Sequence, residues 1–596
     1  MFVFFLLATI VQTWPLAIHA ADRIVITRSS WGAVFDIDVF IWNLWWVKHA
    51  LVDLQTNPYH TDFLFYPQGS DLYLHTLAPV NGVLCIPLQL VTGNLILSWN
   101  ILAIIYFALS GVGMYALSHR ITRNHAAALI AGYIFAFTPI VFVHFSNHWN
   151  ISTTWPIPLF VLFLIRLQDS AHWGNAAAAG GCWALLTYNN LEYGVDAGIF
   201  LGIFALYWSF IYIRTHDLAG RTFWRRLALV AAVWFVLAAP LLVPAMLNIS
   251  SGEYPLPSAK DEYWSPDLAS FVTPSPLWGP GMDVVGDGPG IQAPIGATEN
   301  TAYLGISVLL LAASALLAIR RRPGLVAFWM LVFFSYAILA LGPYLHVGGS
   351  KAISLFGTSL SLPLPYQILD RLPLIGARRA PTRMIVFGIC ALAVLAGIGF
   401  NALSARISRR HSRLLPLITL LIFSLIVLEY WNPPLKTSSL ARPVVLEEIS
   451  HEDGEFTVLH APWGRISGVG GVAGDFWQAS MTNYYQTIHE KPSFGGYLSR
   501  AKDSTLRWVG EEPGLHYLAC VCPDREDDRN LELVRAVLRQ YKIKYIVVHR
   551  LDPYGFPLPN SPESLQLVDD YLRNFLSLTL VTEDSSLTVY RNKDVQ

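Results

Sequence analysis

Two aspartates stand two residues apart in Phe35-Asp36-Ile37-Asp38-Val39-Phe40, directly after the first hydrophobic segment of the chain. A carboxylate at a membrane surface can take the proton from a hydroxyl as that hydroxyl attacks an electrophile. It can equally hold a divalent cation such as Mg2+ or Mn2+. In a strand or extended loop both side chains would point the same way. They would then sit beside Trp42, Trp45 and Trp46 at the water boundary, as a working pair or as a plain solvated loop.

Four more groups carry polar chemistry. Arg378, Arg379 and Arg383 cluster in Arg378-Arg379-Ala380-Pro381-Thr382-Arg383, just before an apolar segment. The planar guanidinium fork matches phosphate, either in a specific site or as ordinary anchoring to lipid headgroups. Glu299 precedes the apolar run that starts near residue 301, where a carboxylate suits a helix N-terminus. His144-Phe145-Ser146-Asn147-His148-Trp149-Asn150 places two histidines four apart. They could share a metal, but no nearby carboxylate completes the set, so His148 and Asn150 are read as hydrogen-bonding a polar substrate. Asn189-Asn190-Leu191-Glu192-Tyr193 is a polar knot between two apolar segments. Such groups are costly at membrane depth and tend to be functional, which makes Glu192 and Tyr193 candidates. Cys520 and Cys522 form a Cys-x-Cys pair that matches no zinc spacing well, and Cys85, Cys182 and Cys390 lie in apolar runs as small core residues.

These groups need elements to hold them. Of the 596 residues, 54% are hydrophobic and 14% charged, against roughly 25% charged in soluble domains. The deficit and the repeated apolar runs predict a polytopic α-helical membrane protein with about 11 spanning helices. Their cores lie near 2–19, 97–118, 125–143, 152–167, 175–190, 194–213, 226–247, 301–319, 325–345, 383–403 and 414–431. Arg120, Arg123, Arg166, Arg214, Arg221, Arg225, Arg226, Arg320 to Arg322, Arg406, Arg409, Arg410 and Arg413 then all fall on one side. The positive-inside rule makes that side, and the N-terminus, cytoplasmic in a multi-pass cell-membrane protein. The apolar stretch 79–93, with Pro79 and Pro87, reads as a juxtamembrane or re-entrant helix. Residues 1–20 could instead be a cleaved leader, although no basic stretch precedes their apolar run.

The membrane part is expected over 1–431, with outer loops 20–96, 248–300 and 346–382, the second rich in Pro and Gly. Residues 432–596 change composition and read as an extracytoplasmic α/β domain. Strands are expected at Glu455–His460 and Lys544–His549, a helix at Leu531–Tyr541, and a closing hairpin around Glu583-Asp584-Ser585-Ser586. A formal net charge of −1 and the lack of a basic arm speak against nucleic acid as partner. All five polar groups fall on the outer side.

The order of these features resembles the GT-C class of integral membrane glycosyltransferases, and within it YfhO-like and related bacterial multi-pass members. The resemblance rests on Asp36-x-Asp38, Asn57-Pro58, Tyr66-Pro67-x-Gly69, His75, and Glu299-Asn300-Thr301-Ala302-Tyr303-Leu304-Gly305. Arg378 to Arg383 and His489-Glu490-Lys491-Pro492-Ser493-Phe494-Gly495-Gly496-Tyr497-Leu498-Ser499-Arg500 extend it. It implies a polyprenyl-phosphate-linked sugar donor and an acceptor hydroxyl on a glycan, lipid or protein, with transfer on the outer face and inversion at the anomeric carbon. Asp38, rather than Asp36, would be the base. Arg378, Arg379 or Arg383 would stabilise the departing phosphate, and His75 would join the substrate-binding residues. Asp36 would orient the acceptor or join Glu299 around a divalent cation. Two other readings stay open: a flippase or transporter of a lipid-linked sugar, which should show inverted repeats, and a non-catalytic scaffold of an envelope complex.

Overall fold

The structure is a computed structural model and describes residues 1–26, 36–169, 172–215, 220–255, 264–274, 299–355, 358–371, 378–519, 528–558, 560, 562–576 and 578–595. The Cys520–Cys522 pair and most of the Pro- and Gly-rich loop 248–300 lie outside these residues. Each of the eleven expected apolar segments is helical. Seven helices among the described residues are long and apolar enough to cross a membrane, or eight if the bent pair His125–Ala136 and Pro139–Phe145 is one span. Phe2–Gln12 and Ile306–Ala318 are apolar but shorter. At 1.5 Å per residue such lengths fall short of a hydrocarbon core of about 30 Å. Pro15 follows the first of them closely, and Gly305, at φ +87°, precedes the second.

Burial orders the bundle. In Pro381–Arg409, 94% of the apolar window is buried, so this helix runs through the centre. In Ser412–Glu429 only 6% is buried, and its leucines face lipid. Arg322 donates to the carbonyl of Ile121 (3.2 Å) and Arg226 to that of Leu167 (2.7 Å), so each ties its helix end to a neighbouring one. The helix Pro79–Thr92 carries Pro79 in its first turn and Pro87 inside, in keeping with the expected irregular role. Cys85, Cys182 and Cys390 are buried and free.

The segment holding the two aspartates departs from expectation. It is the helix Asp36–Lys48, not a strand or extended loop. Residues two apart on a helix diverge by roughly 200°, so Asp36 and Asp38 face different surroundings. Nearly every side chain from Ile37 to Val47 is buried, and Trp42 and Trp46 are stacked (centroids 5.6 Å apart). At about 25 cal/mol per Å2, burying an indole is worth roughly 4–6 kcal/mol as an upper bound.

The C-terminal part supplies the partner surface. Its four-stranded sheet runs in the order Thr579–Glu583, Leu587–Arg591, Ile543–His549, Thr457–His460. The hairpin is antiparallel, the two inner strands Leu587–Arg591 and Ile543–His549 pair antiparallel, and the edge strand Thr457–His460 runs parallel to Ile543–His549. A second sheet orders Gly496–Leu498, Gly464–Ser467 and Gly471–Gly474. It escapes sequence reading because its strands are short and glycine-rich, without alternation. The helix Phe476–His489 is buried from Gln478 to His489 despite its polar composition. It rests on the aspartate-bearing helix through Trp42 to Gln486 (2.7 Å), and Trp45 reaches the adjoining Glu490 (3.2 Å). Arg465 completes the junction. Fully buried, it donates to the carbonyls of Phe494, Thr505 and Tyr66 and to Gln68 (2.8–3.0 Å).

Candidate active site

Asp36 lies in the first turn of its helix and is partly exposed, with 34% of its side chain accessible. Its Oδ2 is 2.9 Å from Nε2 of His148. Burial alone would raise its pKa. The charge and hydrogen bond of His148, a hydrogen bond from Tyr497 and the charge of Arg379 outweigh burial and hold it below the ordinary carboxylate value. Asp36 is therefore ionised at neutral pH.

His148 is a hub. Its Nδ1 lies 3.3 Å from Nδ1 of His144 and 3.6 Å from Oε1 of Glu299, and Nε2 of His144 is 3.8 Å from Oε2 of Glu299. Ligand atoms of His144, His148 and Glu299 lie within 4.8 Å of one another, a spacing that could hold a metal ion. The carboxylate missing beside the histidine pair in sequence arrives from a distant loop. Nε2 of His144 is buried with no hydrogen-bond partner. Asp36 and Glu299, expected to share a cation, instead flank His148 from two sides.

Glu299 does not cap the following helix. That helix begins at Ile306, and Glu429 accepts from the backbone N–H groups of Ile306 (2.5 Å) and Ser307 (2.9 Å). Glu299 instead receives Nε (3.0 Å) and Nη2 (2.5 Å) of Arg383 in a fork. Burial raises its pKa, but Arg383, His144 and His148 prevail and keep it well below the usual range. The same guanidinium donates Nη1 to both oxygens of Glu192 (3.2 Å each). Asp36, His148, Glu299, Arg383 and Glu192 thus form one continuous chain of polar contacts.

Beside this chain lies a cavity of about 110 Å3. It is walled by Arg379, Arg383 and Arg500, by Asn150, Asn190 and Glu192, by His75, and by the stacked pair Tyr59 and Tyr73 (centroids 4.7 Å apart). Burial and the neighbouring Arg379 pull Arg500 down to about 10, so it stays protonated. Arg379 belongs to both places, since it lines the cavity and acts electrostatically on Asp36. His75 takes the N–H of Ser499 on Nδ1 (3.0 Å), so its Nε2–H donates to Asn43 (2.9 Å). Burial pushes it down to about 3, and it remains a neutral strut of the wall.

Three expected residues lie apart from this arrangement. Asp38 is 2% exposed and accepts a hydrogen bond from the Tyr554 hydroxyl. Burial raises its pKa well above the ordinary value, and Asp552 and Asp36 add to the rise while Tyr554 opposes it. Arg378, also 2% exposed, donates Nη2 to Asp196 (2.8 Å) and to the carbonyl of Glu192 (2.9 Å). Tyr193 is buried and donates to the carbonyl of Ile151 (2.6 Å). Sequence reading passed over Asp196, a single carboxylate inside an apolar run, which is itself a signal. It also passed over His144 as a partner of Glu299, and over Tyr59 and Tyr73, while Arg500 was noted only within a motif, because their neighbours come from far along the chain.

The fold has counterparts among solved structures. An arabinofuranosyltransferase, AftD from Mycobacteria, matches all of this chain and 41% of its own, at 15% identity and a TM-score of 0.53. The chain thus spans less than half the length of that protein. An oligosaccharyltransferase from Archaeoglobus fulgidus matches 92% of the chain and 69% of its own (12% identity, TM-score 0.46). ArnT from Cupriavidus metallidurans matches 99% and 96% (13%, 0.43). The AftD likeness makes the architecture GT-C-like. None of the characterised proteins compared with the chain matches it. The family description "Domain of unknown function (DUF6311)" matches residues 9–428, and the chain belongs to that family.

Proposed function

We propose that this protein is a membrane glycosyltransferase that moves a sugar from a polyprenyl-phosphate donor to an acceptor hydroxyl on a glycan, lipid or protein. The observation that carries the reading is the junction at Arg379 between an ionised, accessible carboxylate and an arginine-lined cavity. The arginine-bearing helix ends take the cytoplasmic side by charge bias. The site, and the C-terminal domain from about 432, then face outward.

In this reading Asp36, not Asp38, is the base. Asp38 is buried and its carboxyl is taken by the Tyr554 hydroxyl, so an acceptor hydroxyl does not reach it. The acceptor hydroxyl gives its proton to Asp36 as its oxygen bonds to the anomeric carbon. The bond from that carbon to the phosphate oxygen breaks, configuration inverts, and polyprenyl phosphate leaves. Arg379, Arg500 and Arg383 meet the growing phosphate charge, and their crowding in one cavity favours an anion there. Arg378 is a positioning residue, since it is buried and its Nη2 is held by Asp196 and the Glu192 carbonyl. Tyr59 and Tyr73 offer an aromatic face for a sugar ring. A divalent cation would be held by His144, His148 and Glu299 and would supply charge stabilisation. The imidazole pair suits Zn2+ or Mn2+ better than Mg2+.

The test is mass spectrometry of the lipids that stay with the purified protein, with the Arg379→Ala/Arg500→Ala variant as control. A polyprenyl phosphate present in the first sample and lost in the second supports the donor site. Bulk phospholipid alone in both samples overturns it and favours a scaffold.

A further inference from the structure

The side of the membrane away from this site carries a second concave basic surface. A cavity of about 270 Å3 opens where three parts of the chain meet. These are the end of the helix Leu95–Thr122, the turn after Ile306–Ala318, and the far end of the central helix Ile385–His411. Arg321, Arg322, Arg406 and Arg409 line it, and no Asp or Glu does. None of the four makes an ion pair with a carboxylate among the described residues. Its remaining wall includes Ile121, Leu317, Leu325 and Ile398, and Leu317 is partly open to the bilayer. Arg322 is set in place by its bond to the carbonyl of Ile121 (3.2 Å).

Charge bias explains why arginines lie on this side. It does not explain why four of them converge on one hollow with an apolar wall, where their mutual repulsion costs energy. We infer that this hollow binds the phosphate headgroup of an anionic phospholipid of the cytoplasmic leaflet. Guanidinium forks match phosphate oxygens in pairs, and basic pockets between spanning helices suit such headgroups. The volume is at or below the small end of ligand pockets, enough for a headgroup while the acyl chains stay in the bilayer beside Leu317 and Leu325. The apolar rim argues for a lipid over a soluble phosphate. The pocket also lies on the continuous helical segment Pro381–Arg409, whose first turn carries Arg383. Arg383 and Arg409 are 26 residues apart, or about 39 Å along the axis, so one rigid rod would bear phosphate-binding arginines toward both leaflets.

The protein would be placed in nanodiscs of phosphatidylcholine with a minor share of phosphatidylglycerol, and bound lipid counted by native mass spectrometry after detergent release. The wild type should retain phosphatidylglycerol over phosphatidylcholine. The Arg406→Gln/Arg409→Gln variant should lose that preference at least fivefold while its thermal unfolding stays unchanged. If that variant fails to fold, Arg321→Gln provides the same comparison. Equal retention in wild type and variant overturns the inference. Displacement of the lipid by millimolar inorganic phosphate would identify a soluble anion as the ligand and overturn it as well.

Discussion

Asp36 and Asp38 share one helical turn and meet opposite surroundings. Asp36 faces an imidazole, a phenol and a guanidinium at the edge of a polar cluster, and is held ionised. Asp38 faces Tyr554 and Asp552 inside the junction with the C-terminal part, and burial pushes its pKa up. Two identical side chains two positions apart thus have their pKa values pushed in opposite directions. Burial acts on both; what differs is whether enough partners favour the charged form to outweigh it. In the sequence the two are equivalent, so choosing the base between them depends on the packing of residues more than 100 positions away.

The sharpest way to break this comparison is Asp36→Asn. It should lower the turnover of sugar transfer about 10²–10⁴-fold with little change in melting temperature, measured on the reconstituted protein. Near-normal turnover would remove Asp36 from the chemistry. His148→Gln comes next. It removes the leading contributor that holds Asp36 low, so burial prevails and the carboxylate pKa rises. Activity should then fall on the acid side at higher pH than in the wild type, visible in a pH profile of kcat/KM. An unshifted acid limb would separate Asp36 from His148.

Asp38 should respond in stability, not in turnover. Its native pKa is raised, so between the unfolded value of about 3.9 and the native one the folded state binds more protons than the unfolded state. Stability from this group therefore falls as pH rises through that window. Asp38→Asn mimics the neutral acid and should flatten that slope while turnover stays within about threefold, well short of the loss expected at a base. A loss of turnover matching that of Asp36→Asn would reverse the assignment. The smallest effect is expected of Tyr554→Phe. Losing one hydrogen bond to Asp38 should cost about 1 kcal/mol, read as a modest drop in unfolding midpoint without a change in the pH profile.

Much of the architecture is legible in sequence because it follows from local pattern. Long apolar runs predict helices, and the short buried strands and the hairpin expected in the C-terminal part form there. The count of full crossings does not follow, because Pro15 and Gly305 flank two of the apolar helices that fall short of a bilayer. The polar groups singled out by type and spacing are mostly brought together. His148, Glu299, Glu192 and Arg383 are linked directly, and His75, Asn150 and Arg379 wall the adjoining cavity.

What the amino-acid order determined alone was which residues carry charge at membrane depth, since hydropathy and charge are properties of single residues and short windows. Tertiary structure decided their roles. It turned Asp38 inward, paired Arg378 with Asp196, brought Glu299 to the histidine pair, and let Glu429 cap the helix that Glu299 was expected to cap. Protonation and pairing depend on distances of a few ångströms between residues far apart in the chain, and only the folded bundle sets those distances.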